Sequence, residues 1–241
     1  VGVPLDVEVP GGSLPGLLHR APADVEALAP CVLATDIYGT VPFYREVAAR
    51  LAAAGATTLL VDLFFREGPL PEVTREAAYA RRARMDEAGA IDDTEAAVAH
   101  LATALDAPRV GVVGFCLGGL IAMVLAARRD DVLALSFYGF PEGLAGDVRV
   151  RAPRPLDLAG EVRSPIVAFW GDQDHLVPAD VVERYGRALL DAGAPYESHR
   201  YADAGHGFLQ GLVEDRADSG AARDAWGRVL DHLSAIRKEP A

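Results

Sequence analysis

Four polar residues stand where chemistry would be placed: Asp36 in "ATDIYG", Cys116 in "GFCLGG", Asp174 in "WGDQDHLVP" and His206 in "YADAGHGF". Each follows an apolar run that reads as a buried strand, and in open parallel sheets ligands sit beyond the carboxyl ends of the strands. A thiol, a carboxylate and an imidazole are the parts of a nucleophilic relay, in which the imidazole takes the thiol proton and the carboxylate orients the imidazole. Cys116, Asp174 and His206 come in the order nucleophile, acid, histidine, which is the hydrolase order.

Cys116 is set apart by its glycines. A strand, a tight turn and an apolar helix meet at this residue, and Gly114 and Gly118 remove Cβ atoms that would clash across the turn. Gly119 lets the helix pack closely on the sheet. The thiol then stands at a helix N-terminus, where the dipole favours thiolate, and the Leu117 N–H faces the same way as a candidate oxyanion donor. The competing reading is a buried structural cysteine between packing glycines. Cys31 opens an apolar strand without such a frame and reads as core. His19, His100, His175, His199 and His232 read as exposed loop or surface residues. Asp172 reads as a brace for its turn, and Asp203, three residues before His206, as pointing elsewhere.

The elements that must hold these residues follow from periodicity. "LDVEV" and "LPGLLHR" flank the turn "PGG" as a hairpin. Apolar runs predict strands at 31–35, 57–64, 109–113, 132–138, 165–170 and 196–201. Helical periodicity predicts helices at 42–54, two within 66–105, and others at 117–129, 179–193 and 218–236. A Gly/Pro/Arg-rich stretch at 140–164 reads as irregular, and "RKEPA" as a tail. The β-α-β alternation implies a parallel sheet covered by helices on both faces, in one domain spanning 1–241.

The 241 residues are 51% hydrophobic, enough for a large core without metals or disulfides. A formal charge of −12 argues against nucleic acid and anionic membrane surfaces as partners. No apolar run has the length of a bilayer span, no secretory signal is visible, and two distant cysteines make no disulfide framework, so the expected location is cytoplasmic.

Taken together, "GFCLGG", "GDQDHLVP" and "AGHGF" in this order and spacing resemble the dienelactone hydrolase family, from about residue 5 to 236. The resemblance implies an α/β-hydrolase fold: a mostly parallel central sheet of about eight strands with helices on both faces. It implies Cys116 as nucleophile, His206 as base, Asp174 as the orienting carboxylate, and the Ile37 N–H as second oxyanion donor. Where the family has a Glu that accepts a hydrogen bond from the resting thiol, this chain has Asp36, one methylene shorter. Of two family Arg residues that grip a substrate carboxylate, one is matched by Arg75 and the other is replaced by Gln210. Tyr79 matches a family Tyr, and Arg82 stands where the family has Trp. Tyr38 and Phe208, beside the motif residues, join the candidate substrate contacts.

These readings imply a Cys-dependent hydrolase of a small ester or lactone, monomeric or a small homo-oligomer, with no metal or organic cofactor. With Gln210 in place of an Arg, neutral or larger substrates are expected over small anionic lactones, with Arg82 able to restore the charge if it faces the pocket. A thioesterase, acyl transferase or lactone-forming cyclase on the same triad is the main alternative. A ligand-binding protein that has lost turnover is the other.

Overall fold

In the computed structural model, which describes residues 2–214, 216 and 218–238, the N-terminal strands Val3–Val9 (β1) and Gly12–His19 (β2) pair antiparallel with Val9 opposite Gly12. Cys31–Ala34 (β3), Thr58–Val61 (β4), Val110–Phe115 (β5), Val132–Phe137 (β6) and Ile166–Gly171 (β7) are buried at every position, as unbroken apolar runs between two helical layers must be. Tyr196–Tyr201 (β8) is half exposed, as befits an edge. The eight strands form one sheet in the order β1-β2-β4-β3-β5-β6-β7-β8. β2 joins β4 antiparallel and every pairing from β4 to β8 is parallel, so the expected α/β-hydrolase architecture is the one observed.

The described residues form six α-helices, Pro42–Ala53 (α1), Arg75–Arg82 (α2), Glu87–Leu105 (α3), Leu117–Arg128 (α4), Ala179–Asp191 (α5) and Ser219–Lys238 (α6). Along β5 a Cβ on Gly111 would strike Leu233 of α6, and one on Gly114 would strike Gly118 of α4. Alternate strand residues face opposite sides, so α4 and α6 lie on opposite faces of the sheet. α4 is apolar all round and is buried from Leu117 to Ala127.

Several boundaries differ from the periodicity, each for a local reason. The expected strand 57–64 stops at Val61 because the Asp62 carboxylate accepts the Phe64 N–H at 3.0 Å and turns the chain. Two 3₁₀ helices, Pro155–Glu161 and Phe208–Leu212, interrupt stretches read as loop. α6 continues through Arg237 and Lys238, the start of the presumed tail; residues 239–241 lie outside the described residues. No helix among the described residues is long and apolar enough to cross a membrane.

The irregular segment after β6 is held by one buried ion pair. Arg82 Nε and Nη2 donate to Glu87 Oε1 at 2.8 and 2.6 Å, with both side chains sealed from solvent. The remaining Arg82 donors reach the carbonyls of Leu144 and Ala145 at 2.8 Å, and Glu87 Oε2 accepts the Ala152 N–H at 3.1 Å. Each lone pair and proton of the pair that faces this segment therefore has a partner, which is what makes a buried pair tolerable. Glu87→Gln leaves the guanidinium buried without its counter-charge and should lower the unfolding free energy by about 3–5 kcal/mol in urea titration. Replacing both by Met should restore much of that loss, and a Glu87→Gln variant as stable as wild type would show that the pair is not what holds the segment.

Candidate active site

The turn between β5 and α4 puts Cys116 in a backbone conformation that few side chains adopt, with φ 57° and ψ −110°. Such a conformation costs on the order of 1–3 kcal/mol and persists only where the surroundings over-determine it. Here they do. A Cβ on Gly114 would lie 2.0 Å from the Gly118 carbonyl oxygen, and one on Gly118 would lie 2.1 Å from that of Ala34. The Cys116 N–H donates to Phe137 O at 3.0 Å and the Gly118 N–H to Thr35 O at 3.0 Å, tying the turn to the ends of β6 and β3.

The sulfur is buried, and the backbone N–H groups of Leu117 and Ile37 lie near enough to act on its charge. Burial is the largest influence on the thiol and lifts its pKa far above the ordinary value; the nearby Asp36 carboxylate lifts it further, while the two N–H groups pull it down. The thiol is therefore neutral at rest, so the thiolate expected from the helix dipole alone is overridden by desolvation.

Asp36 is near the thiol but its hydrogen bonds go elsewhere. Its Oδ1 accepts the Tyr38 N–H at 2.8 Å, and the buried Tyr44 hydroxyl faces the same carboxylate. Burial raises the Asp36 pKa, partly offset by Tyr44 and Tyr38. The peptide unit between Ile37 and Tyr38 is gripped at both ends, since Arg81 Nη2 donates to the Ile37 carbonyl at 2.9 Å. Arg81 is itself buried with its guanidinium 4.0 Å from the centre of the Phe64 ring. This cation beneath the loop that carries Ile37 was not legible in the sequence, where nothing sets Arg81 apart from the arginines beside it.

His206 Nδ1 lies 2.8 Å from Asp174 Oδ2. Asp174 Oδ1 accepts the N–H groups of Leu176 at 2.8 Å and Val177 at 3.3 Å, so the carboxylate is fixed before it meets the ring. The loops carrying the two residues are laid together by Asp172 N–H to Tyr201 O and Gln173 N–H to Ala204 O, both at 2.9 Å. His206 Nε2 is buried without a hydrogen-bond partner, and the ring is flanked by Tyr138 and Phe140 at 4.8 and 5.6 Å between centroids. Asp172 instead pairs with Arg200 at 2.7 Å on the surface, and Asp203 is exposed.

The remaining candidates divide. Tyr38 and Tyr79 are half-buried and Arg75 is exposed, with its guanidinium 5.6 Å from the Tyr79 ring centre. Gln210 Oε1 accepts from Arg216 Nη1 at 2.6 Å, and Arg216 is also paired with Asp218 at 3.0 Å. A guanidinium thus returns to the neighbourhood of position 210 from six residues along the chain, a placement that no motif signals. Two expectations are corrected. Arg82 cannot meet a substrate, because its guanidinium is consumed by Glu87, Leu144 and Ala145. Phe208 is buried in an aromatic cluster with Phe137, Tyr138 and Tyr201 and presents no surface. Of the other histidines, His175 is exposed, His19 is buried, and His199 and His232 are half-buried against Glu197 at 2.6 and 3.4 Å.

The chain matches the sequence profile of the dienelactone hydrolase family over residues 17–237. It is 37% identical over 223 residues to a carboxymethylenebutenolidase of Rhodococcus opacus, covering 92% of this chain and 86% of that one. It is 40% identical over 179 residues to carboxymethylenebutenolidase 2 of Cupriavidus pinatubonensis, covering 73% and 72%. A crystal structure from Klebsiella pneumoniae, provisionally described as a dienelactone hydrolase, superposes with a TM-score of 0.83 at 25% identity, over 97% of this chain and 98% of that one.

Because Asp36 raises the thiol pKa, removing its charge should favour the thiolate. Asp36→Asn should therefore speed alkylation of Cys116 by iodoacetamide at neutral pH, read by peptide mass spectrometry. Cys31, whose pKa burial pushes up to about 12, should stay unlabelled in both proteins. An unchanged rate would show that the carboxylate and the sulfur are not electrostatically linked.

Proposed function

The chain belongs to the dienelactone hydrolase family, and from that premise we propose that it hydrolyses esters or lactones through a covalent acyl-cysteine, with Cys116 as nucleophile, His206 as proton carrier and Asp174 as its orienting carboxylate. The observation that carries the proposal is the pairing of a fixed Asp174–His206 couple, whose Nε2 is free, with a strained Cys116 whose sulfur lies between two backbone donors. The family name and the relatives' name, carboxymethylenebutenolidase, favour a lactone as the substrate class.

The chemistry follows from these positions. At rest the N–H groups of Leu117 and Ile37 lie beside the sulfur and favour negative charge on it. A substrate carbonyl oxygen that takes those donors displaces the sulfur, and the thiol proton passes to His206 Nε2 as the S–C bond forms. The tetrahedral oxyanion is held by the two N–H groups; in other enzymes the loss of one such donor costs about 2.7–4 kcal/mol of barrier. Collapse breaks the C–O bond, the leaving oxygen takes the proton from His206, and a thioester remains on Cys116. Water then gives a proton to His206, attacks the thioester, and releases the acid with the thiol restored. Asp174 keeps Nδ1 protonated throughout, so that Nε2 is the atom that exchanges protons.

A hydrolysis screen over lactones, aryl esters and acyl thioesters tests the proposal. Lactones or aryl esters should be turned over, with Cys116→Ala and His206→Ala each losing activity on the order of 10⁴-fold or more. His175→Ala, an exposed residue one position after Asp174, should retain it. Activity on thioesters alone would favour the thioesterase alternative, and full activity in Cys116→Ala would overturn the covalent route.

A further inference from the structure

A groove of about 260 Å³ lies beside His206, and the mechanism above makes no use of it. It is lined by Tyr79 of α2, Phe140 and Leu144 of the segment after β6, and Leu176, Val177 and Val181 at the acid loop and the start of α5. Two of its walls are shared with the triad. The Phe140 ring stands 5.6 Å from the His206 ring, and Leu176 and Val177 are the residues whose N–H groups hold Asp174. The one charged residue in the lining, Glu142, is paired with Arg184 at 2.9 Å. No cationic side chain lines the groove among the described residues, so an anionic group placed there would lose water and gain no counter-charge.

The wall of the groove is built rather than loose. Leu144 O accepts from both Arg82 Nη2 and Arg151 Nη1 at 2.8 Å, Ala145 O from Arg82 Nη1 at 2.8 Å, and Gly146 O from Arg151 Nη2 at 2.7 Å. Three consecutive carbonyls of an irregular segment are thereby satisfied by two guanidinium groups, one of them neutralised by Glu87. The groove exists before any ligand arrives, as small-molecule sites commonly do.

We propose that this groove is the subsite for an uncharged apolar substituent of the substrate, of aryl or branched-alkyl size, and that Arg82 and Arg151 position its wall through Leu144, Ala145 and Gly146. The inference rests on the hydrolase reading above, which puts the scissile carbonyl at Cys116; Phe140, in the groove lining and 5.6 Å from the His206 ring, joins the groove to that reading. The size follows from volume: an apolar cavity of about 150 Å³ takes benzene. The larger space here takes a phenyl ring with a short alkyl arm.

The test compares kcat/KM for the acetyl, 3-phenylpropanoyl and succinyl esters of one alcohol. The phenylpropanoyl ester should exceed the acetyl ester by about tenfold or more, the scale that apolar contacts in a pocket supply, and the succinyl ester should be the poorest. Leu176 is 42% exposed and so tolerates charge without unfolding. Leu176→Glu should shrink the phenylpropanoyl-to-acetyl ratio about tenfold or more. A wild-type ratio near one, or a ratio that Leu176→Glu does not move, overturns the subsite. For the wall, Arg151→Ala, an exposed residue, and the Arg82→Met/Glu87→Met pair should raise KM for the phenylpropanoyl ester more than they lower kcat. Equal losses for all three esters would reduce their role to general stability. If no ester in the series is turned over, the catalytic reading fails on its own. Calorimetric binding of 3-phenylpropanamide, tighter than acetamide and weakened by Leu176→Glu, then still reports the groove, and its absence overturns the groove as well.

Discussion

The geometry of the β5–α4 turn governs what the rest of this molecule can do. Cys116 is held at positive φ only because Gly114, Gly118 and the ends of β3 and β6 meet with no room for a single Cβ. That crowding lifts the sulfur off the end of the strand and onto the start of a fully buried helix. It also brings the Leu117 N–H and, from the end of β3, the Ile37 N–H to the same atom. Strain at one residue is offset by close packing in three strands and one helix, a price that a small local element could not bear.

Electrostatics then sets the resting state. A helix N-terminus favours a thiolate, but the desolvation of a buried sulfur and the neighbouring Asp36 carboxylate oppose it and prevail. The thiol is protonated until something changes its surroundings; in the proposed mechanism an entering carbonyl that claims the two N–H groups is such a change. Arg81 matters in this balance because it holds the Ile37 carbonyl while Asp36 holds the Tyr38 N–H. The carboxylate that sits near the thiol is thus part of the frame that fixes the Ile37–Tyr38 peptide, which couples the charge near the sulfur to the shape of the loop beside it.

A second layer of positioning surrounds the proposed triad. Asp174 is pinned by the start of its own loop before it orients His206, and the segment after β6 is pinned by Arg82 and Arg151 before it walls the groove. Both devices use charged groups to satisfy backbone donors or acceptors of irregular chain, where no ladder is available to do so. A glutamine at position 210 held by Arg216, itself neutralised by Asp218, leaves the side of the site near β8 weakly charged.

The sheet, its helices and the three motif residues were legible in the sequence because each depends on local pattern. Unbroken apolar runs mark strands covered on both faces, and a Gly-framed cysteine marks a sharp turn at a strand end. The order Cys116, Asp174, His206 places the parts after β5, β7 and β8. What the sequence left open concerns long flexible side chains, whose direction depends on distant neighbours. Arg75, Arg81, Arg82 and Arg84 share one short stretch, yet Arg81 grips the Ile37 carbonyl, Arg82 is buried on Glu87, and Arg75 stays exposed over Tyr79. Residue type and helical spacing cannot separate these fates, because the partners lie on elements from 37 to 145. The same holds for Asp36, whose identity suggested a thiol partner but which turns to the Tyr38 N–H of its own loop and to the Tyr44 hydroxyl, brought there by the packing of α1. Local periodicity encodes which way a backbone runs, and only tertiary packing decides which of several equivalent charges is taken out of water.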